Sequence, residues 1–255
     1  MIIFIEAGFR LGRFHPSKQA KAQMAQVRAI MGAALGLLAF MLAFGFSIAQ
    51  HHFETRTQAY LLEINAIEST YRGADLLADD ARDIANQILL RFVKLRIQIK
   101  EAVDSNNLTE IGDKIKEAEG LHDQLWSVAV LAMSGSVEGE NKNLYAQSVL
   151  AMIDANDARL QAVLFNRIAP VIWITLFLMA LLSMIVMGYQ AGLTGTRSRL
   201  ATWTLALAFS TVMALVIDLD RPNMTLFSFD HRLMADLESQ LTEALQQSKK
   251  IDLQE

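Results

Sequence analysis

From Ile30 to Ala49 the chain reads IMGAALGLLAFMLAFGFSIA, twenty residues without a charge. At ~1.5 Å rise per residue, a helix of that length crosses a ~30 Å hydrocarbon core. Backbone groups in lipid find no partners outside their own segment, so a helix is the expected form. Two more apolar runs repeat the signal, Ile168 to Tyr189 and Leu200 to Ile217. Pro170 sits in the first turn of the second run, where a missing N–H costs little. Trp173 and Tyr189 mark its two ends, as interfacial aromatics do.

Between the first and second runs the pattern changes to mixed polar and apolar positions at helical spacing. Tyr60, Leu61, Ile64, Ile67 and Tyr71 form one stripe, interleaved with Glu63, Asn65, Glu68 and Arg72. Asp79 and Asp80 are N-cap candidates for a second helix. Its stripe is Ile84, Ile88, Phe92, Leu95 and Ile99, with Arg91, Lys94, Arg96 and Lys100 read as a solvated face paired with nearby acids. A turn at Asp104 to Asn107 leads to a third helix from about Leu108 to Met133, and Ser134 to Asn141 reads as a loop. A last helix starts near Leu144, with Val149, Leu150, Ile153 and Leu160 on its apolar side. In the tail, Leu233, Leu237, Leu241 and Leu245 recur by fours beside Met234, an amphipathic helix that needs a partner. That partner is either the 50–167 domain or another subunit.

The pattern predicts an all-α integral membrane protein with three transmembrane helices and a helical extramembrane domain between spans one and two. The expected segments are a basic N-terminal arm (1–29), a first span (30–49), a helical domain (50–167), a second span (168–189), a short basic loop (190–199), a third span (200–217) and an amphipathic C-terminal helix (218–255). Composition agrees: 53% of residues are hydrophobic, and only three are proline. Cysteine is absent, which excludes disulfides and thiolate-held metals.

Charge is distributed by segment. Residues 1–29 carry +4, 50–167 carry −6, 190–199 carry +2 and 218–255 carry −4. Lysine and arginine near span ends set topology, so the N-terminus and the 190–199 loop are expected in the cytoplasm, with the domain and the tail outside. The expected location is a plasma membrane crossed several times. Met1 to Ile5 is too short for a secretory leader, and its basic residues follow rather than precede it. The arm reads as interfacial: Ile2, Ile3, Phe4, Phe9 and Leu11 in the headgroup region, Arg10 and Arg13 against anionic lipid.

Within the first span, Gly32 and Gly36 form a small-xxx-small pair, which lets helices approach closely in lipid. Phe40, Phe44 and Ser47 continue the same face. Two readings stand for it: ordinary lipid or helix contact, or the constriction of a pore in an oligomer, since hydrophobic rings gate by dewetting. His51, His52 and Glu54 lie at the span's mouth. Adjacent histidines point about 100° apart on a helix, so they read as interfacial anchors and not as a metal site. Asp218, Asp220 and Arg221 end the third span as an expected ion pair, and Pro222 stops the helix. No GxSxG, HExxH, phosphate-binding glycine loop or dinucleotide fingerprint occurs. No catalytic residue, cofactor or metal is therefore expected, and the chain is not read as an enzyme. The acidic soluble segments argue against nucleic acid. Neither internal repeats nor broken helices point to a transporter.

Several stretches resemble a widespread bacterial membrane family labelled bestrophin-like. They are EAGFRLGR, GLLAFMLAFGFSIAQHHFETR, EINAIESTYRGADLLADDARD, NRIAPVIWITLFLMALLSMIVMGYQAGL and VIDLDRP. The likeness runs from Glu6 to about Pro222, and its motif residues here include Glu63, Asn65, Tyr71, Asp218, Asp220, Arg221 and Pro222. The chain departs from the family pattern in three places. Family members commonly carry a further hydrophobic segment ahead of the first motif. Glu68 stands where a small residue is usual, and Asn223 where glycine is usual. The label implies a link to bestrophins, pentameric anion channels with a neck lined by aromatic side chains. On that analogy Phe40 and Phe44 narrow a pore. Bestrophins keep their helical domain in the cytoplasm, whereas the charge count here puts it outside.

Two functions follow as expectations. One is a homo-oligomeric ion channel, for anions by the bestrophin analogy, whose partners are the bilayer, its own copies and an inorganic ion. The other is a non-conducting membrane scaffold or sensor whose helical domain binds a partner protein.

Overall fold

The computed structural model describes residues 2–14, 17–105, 107–134, 140–195, 199–221 and 230–252. Among these, every regular element is an α-helix: α1 Ile2–Arg13, α2 Ser17–Ala74, α3 Asp79–Asp104, α4 Leu108–Ser134, α5 Glu140–Phe165, α6 Pro170–Thr194, α7 Arg199–Asp220 and α8 Asp230–Asp252. The chain divides into two compact units. One comprises Met1–Phe53 with Arg167–Pro222, the other Glu54–Asn166 with Asn223–Glu255. Pro222 and most of the predicted 134–141 loop lie outside the described residues.

Among the described residues, three helical segments are long and apolar enough to cross a membrane, and their apolar runs (30–49, 168–189 and 200–217) fall within the first unit. α2 and α6 run antiparallel. The Ser183 hydroxyl donates to the Ala34 carbonyl at 3.3 Å, Leu38 and Leu42 pack with Leu176 and Ala180, and Ala49 packs with Ile168 and Val216. α1 packs along α6 with backbone against backbone. A Cβ on Gly188 would lie 2.0 Å from the Ile5 carbonyl oxygen, and one on Gly8 2.1 Å from that of Ile185. Gly12 and Gly192 meet one turn further on, each with a Cβ position 2.4 Å from a carbonyl oxygen of the other helix. These are two small-xxx-small pairs facing each other, the arrangement that closes helices tightly where apolar burial supplies no driving force.

α6 begins at Pro170, whose missing N–H falls among the unbonded amides of a first turn. The Ile168 amide just before it donates to the Asp220 carboxylate at 2.8 Å. Asp220 at the end of α7 thus satisfies a buried amide just outside α6. α6 ends at Gly195 with φ 65°, a left-handed geometry that glycine adopts without strain.

The second unit has its own core. Ile67, Leu89, Phe92, Leu121, Leu125, Val149 and Met152 are wholly or almost wholly buried within it. α8 joins that core through Met234, Leu237 and Leu241 and packs on α3. Three expected stripes hold in part and are corrected at single positions. On α2 the core face is Tyr60, Glu63, Ile67, Thr70 and Ala74, so Glu63 is inside and Leu61 is 42% exposed. On α3, Phe92, Leu95 and Ile99 of the expected stripe are buried and Ile88 packs against the core, joined by Ala85, Leu89, Val93 and Arg96, while Ile84 is exposed. On α5, Tyr145, Val149, Met152 and Asn156 face inward and Leu150 outward. Each face includes a small or polar residue, such as Glu63, Ala85 or Asn156, that hydrophobicity alone rejects. Asp79 and Asp80 are not caps either. Ala78 occupies the N-cap without a side-chain bond, and the two acids lie in the first turn, where the helix dipole favours negative charge.

Candidate functional site

The face of α2 that packs on α6 carries Leu38, Leu42, Gly45 and Ala49. The opposite face carries Gly32, Gly36, Phe40, Phe44 and Ser47, roughly half a turn of the helix away. All five are exposed, Phe40 at 63% and Phe44 at 53%. A Cβ on Gly32 or Gly36 meets nothing within 4 Å. Within one copy, then, the glycine pair chosen from the sequence has no neighbour. The pairs that do pack are Gly8 with Gly12 and Gly188 with Gly192, both legible as small-xxx-small in EAGFRLGR and GYQAG. Chemically, this face of α2 offers two aromatic rings and one hydroxyl within an uncharged span.

The second candidate locus is a charge cluster inside the helical domain. Glu63 on α2 is fully buried. The Arg96 guanidinium of α3 pairs with it at 2.9 Å, and Arg159 of α5 makes a second ion pair with its other carboxylate oxygen. Arg159 also stacks over the Tyr60 ring, 4.6 Å from its centroid. Arg96 was expected on a solvated face, yet its side chain is 5% exposed. Two others of that basic group pair with acids: Arg91 with Glu117 at 2.8 Å and Lys94 with Glu238 at 4.0 Å. One carboxylate between two guanidiniums ties three helices through charge-assisted bonds in a low-dielectric interior.

His122 on α4 is buried and packs on Phe92, with ring centroids 4.9 Å apart. Burial pushes its pKa below the ordinary imidazole value; Asp157, Glu63 and Asp123 oppose that shift and Arg96 adds to it. Burial likewise pushes the Tyr145 phenol up to about 12. Tyr71 is half-buried against the same core, and its pKa is raised by burial first and by Asp75 second. Of the other motif residues, Asn65 is exposed on α2, Asp218 and Asp220 are half-buried at the end of α7, and Arg221 is exposed just beyond it. Asp220 also accepts a hydrogen bond from the Ile168 amide at 2.8 Å. No cluster of three or more potential metal ligands exists among the described residues.

A family model described as a Bestrophin-like domain matches residues 3–223. No curated protein matches the chain by sequence. Among solved structures, a mutant bacterial bestrophin homologue from Klebsiella pneumoniae superposes with a TM-score of 0.65. The match covers 95% of this chain and 97% of the other at 12% identity, which makes it a likeness of fold.

Proposed function

The chain belongs to the bestrophin-like family, and from that premise we propose that it is a homo-oligomeric ion channel in a bacterial inner membrane, with the Phe40–Phe44 face of α2 turned toward the conducting path. The carrying observation is that face: two rings more than half exposed in an uncharged span, opposite the side that packs on α6. A ring of such side chains around an axis makes a hydrophobic constriction, which opens or closes to ions by wetting and dewetting. Gly32 and Gly36, with no neighbour in one copy, suit close approach of a second copy one or two turns away. The bestrophin analogy makes the permeant ion an anion. Fold likeness alone does not carry function, so the proposal stands on the α2 face and is tested there. The N-terminus is proposed to lie in the cytoplasm, as the basic arm and the 190–199 loop require.

The test is purified protein in planar bilayers. Salt-dependent current is expected, with unitary conductance changed by Phe40→Ala and by Phe44→Ala. Silence at every voltage, or a particle that is monomeric in detergent and in nanodiscs, overturns the channel reading and leaves the scaffold. Reporter fusions after Glu101 and after Arg197 decide orientation separately.

A further inference from the structure

The membrane-spanning unit contains a groove that no residue discussed for conduction lines. Its walls are Leu38 and Leu42 of α2, Phe177, Ala180 and Met184 of α6, and Phe209, Met213 and Ile217 of α7, with Phe4 of α1 also lining it. Ser210 supplies the single hydroxyl among the described lining residues. From Phe209 to Ile217 the groove follows α7 for about 12 Å at ~1.5 Å per residue, along the helix axis rather than across it. Scaled from the ~150 Å³ apolar cavity that holds one six-carbon benzene, its 410 Å³ accommodates about 16 carbons. Apolar cavities stay dry, and the medium around these three helices is hydrocarbon.

The groove's Ile217 end adjoins the polar close of α7. Arg221 stands four residues beyond Ile217 on the same side of the helix, its amide still bonded to the Ile217 carbonyl at 3.2 Å. Asp218 and Asp220 flank it. A guanidinium at that level suits a phosphate, and two carboxylates beside it suit a headgroup that also carries an ammonium. We propose that this groove is a binding site for one phospholipid with an ammonium-bearing headgroup, its acyl chain lying between α2, α6 and α7 and its phosphate at Arg221. The site is separate from the Phe40–Phe44 face and stands whether or not the protein conducts.

The test uses full-length protein in nanodiscs containing phosphatidylethanolamine with a diazirine at mid-chain, cross-linked by light and mapped by mass spectrometry. Ile174 and Leu207, both exposed on the spans, report ordinary contact with bulk lipid. Labelling at Leu42 and Met213 is expected to exceed that at Ile174 and Leu207 severalfold. Ala214→Trp or Ala180→Phe, each filling the groove from a different helix, should bring it down to the bulk level. Arg221→Gln should lower it for phosphatidylethanolamine while leaving Ile174 and Leu207 unchanged. Equal labelling at all four positions in the unmodified protein overturns the site and leaves only annular lipid. Absence of label at Leu42 and Met213 also overturns it, because protein, such as a second copy, then covers the groove. The unmodified protein decides both outcomes even if a filled variant fails to fold.

Discussion

Replacing Glu63 by glutamine keeps the shape of the side chain and removes its charge. Two guanidiniums then remain in the interior, Arg96 with a side chain 5% exposed and Arg159 with one 15% exposed, and neither keeps its carboxylate. Breaking a buried pair from one side costs about 3–5 kcal/mol, because an uncompensated charge stays behind. A whole domain is stable by only about 5–15 kcal/mol. For a unit of this size each kcal/mol moves the midpoint by about 2–4 °C, so Glu63→Gln should lower it by on the order of 10 °C. The assay is thermal unfolding in detergent, followed by circular dichroism and by fluorescence of Trp126, which lies on α4 within the same unit. A second variant separates charge from packing. Arg159→Gln in the Glu63→Gln background removes one of the two stranded cations and should recover part of the loss. If Glu63→Gln unfolds within about 2 °C of the parent, less than the shift from a single kcal/mol, or if the double variant is worse than the single by the full sum, the account of Glu63 as the counter-charge of both arginines is wrong.

Three further outcomes follow from the same geometry. Gly188→Val places side-chain atoms where the Ile5 carbonyl now stands, so α1 should separate from α6. An Ile5→Cys probe, buried in the parent at 4% exposure, should then react with maleimide; continued protection would refute the contact. Asp220→Ala should cost about 1–3 kcal/mol, as a buried donor left without its acceptor does, and speed amide exchange at Ile168, while Asp218→Ala leaves that amide unchanged. The buried His122 imidazole has its folded pKa below the unfolded value of 6.5. An unfolded chain therefore binds the proton more readily, and stability is complete above about pH 6.5 and falls as pH drops from there toward the folded pKa. Melting between pH 7 and 5 should show that decline, and His122→Leu should flatten it; an unchanged slope would refute the assignment.

The three spans were legible because an uncharged run of about twenty residues has few alternative readings. The α-helical class was legible for a related reason: few prolines and steady 3.6-residue periodicity leave little room for strands. Glu63 was not legible as a core residue. A lone carboxylate among polar neighbours reads as surface, and its burial depends on arginines 33 and 96 residues away that no local window contains. Arg96 was misread for the converse reason, since it follows Arg91 and Lys94, which do face acids at the rim. The glycines show a different limit. Gly32 with Gly36 and Gly8 with Gly12 carry the same spacing, but only the second pair has a backbone opposite it in one copy. Spacing states that a helix can be approached closely; it does not state by what.

The glycine seam between α1 and α6 has a genetic consequence. Any missense change at a glycine codon installs at least a Cβ, and at Gly8, Gly12, Gly188 and Gly192 that atom would fall between 2.0 and 2.4 Å from a main-chain oxygen. No rotamer relieves a clash that begins at the first side-chain atom. In a saturation library these four codons should therefore stand out as intolerant even of alanine, while Gly32 and Gly36 become intolerant only where copies of the protein meet.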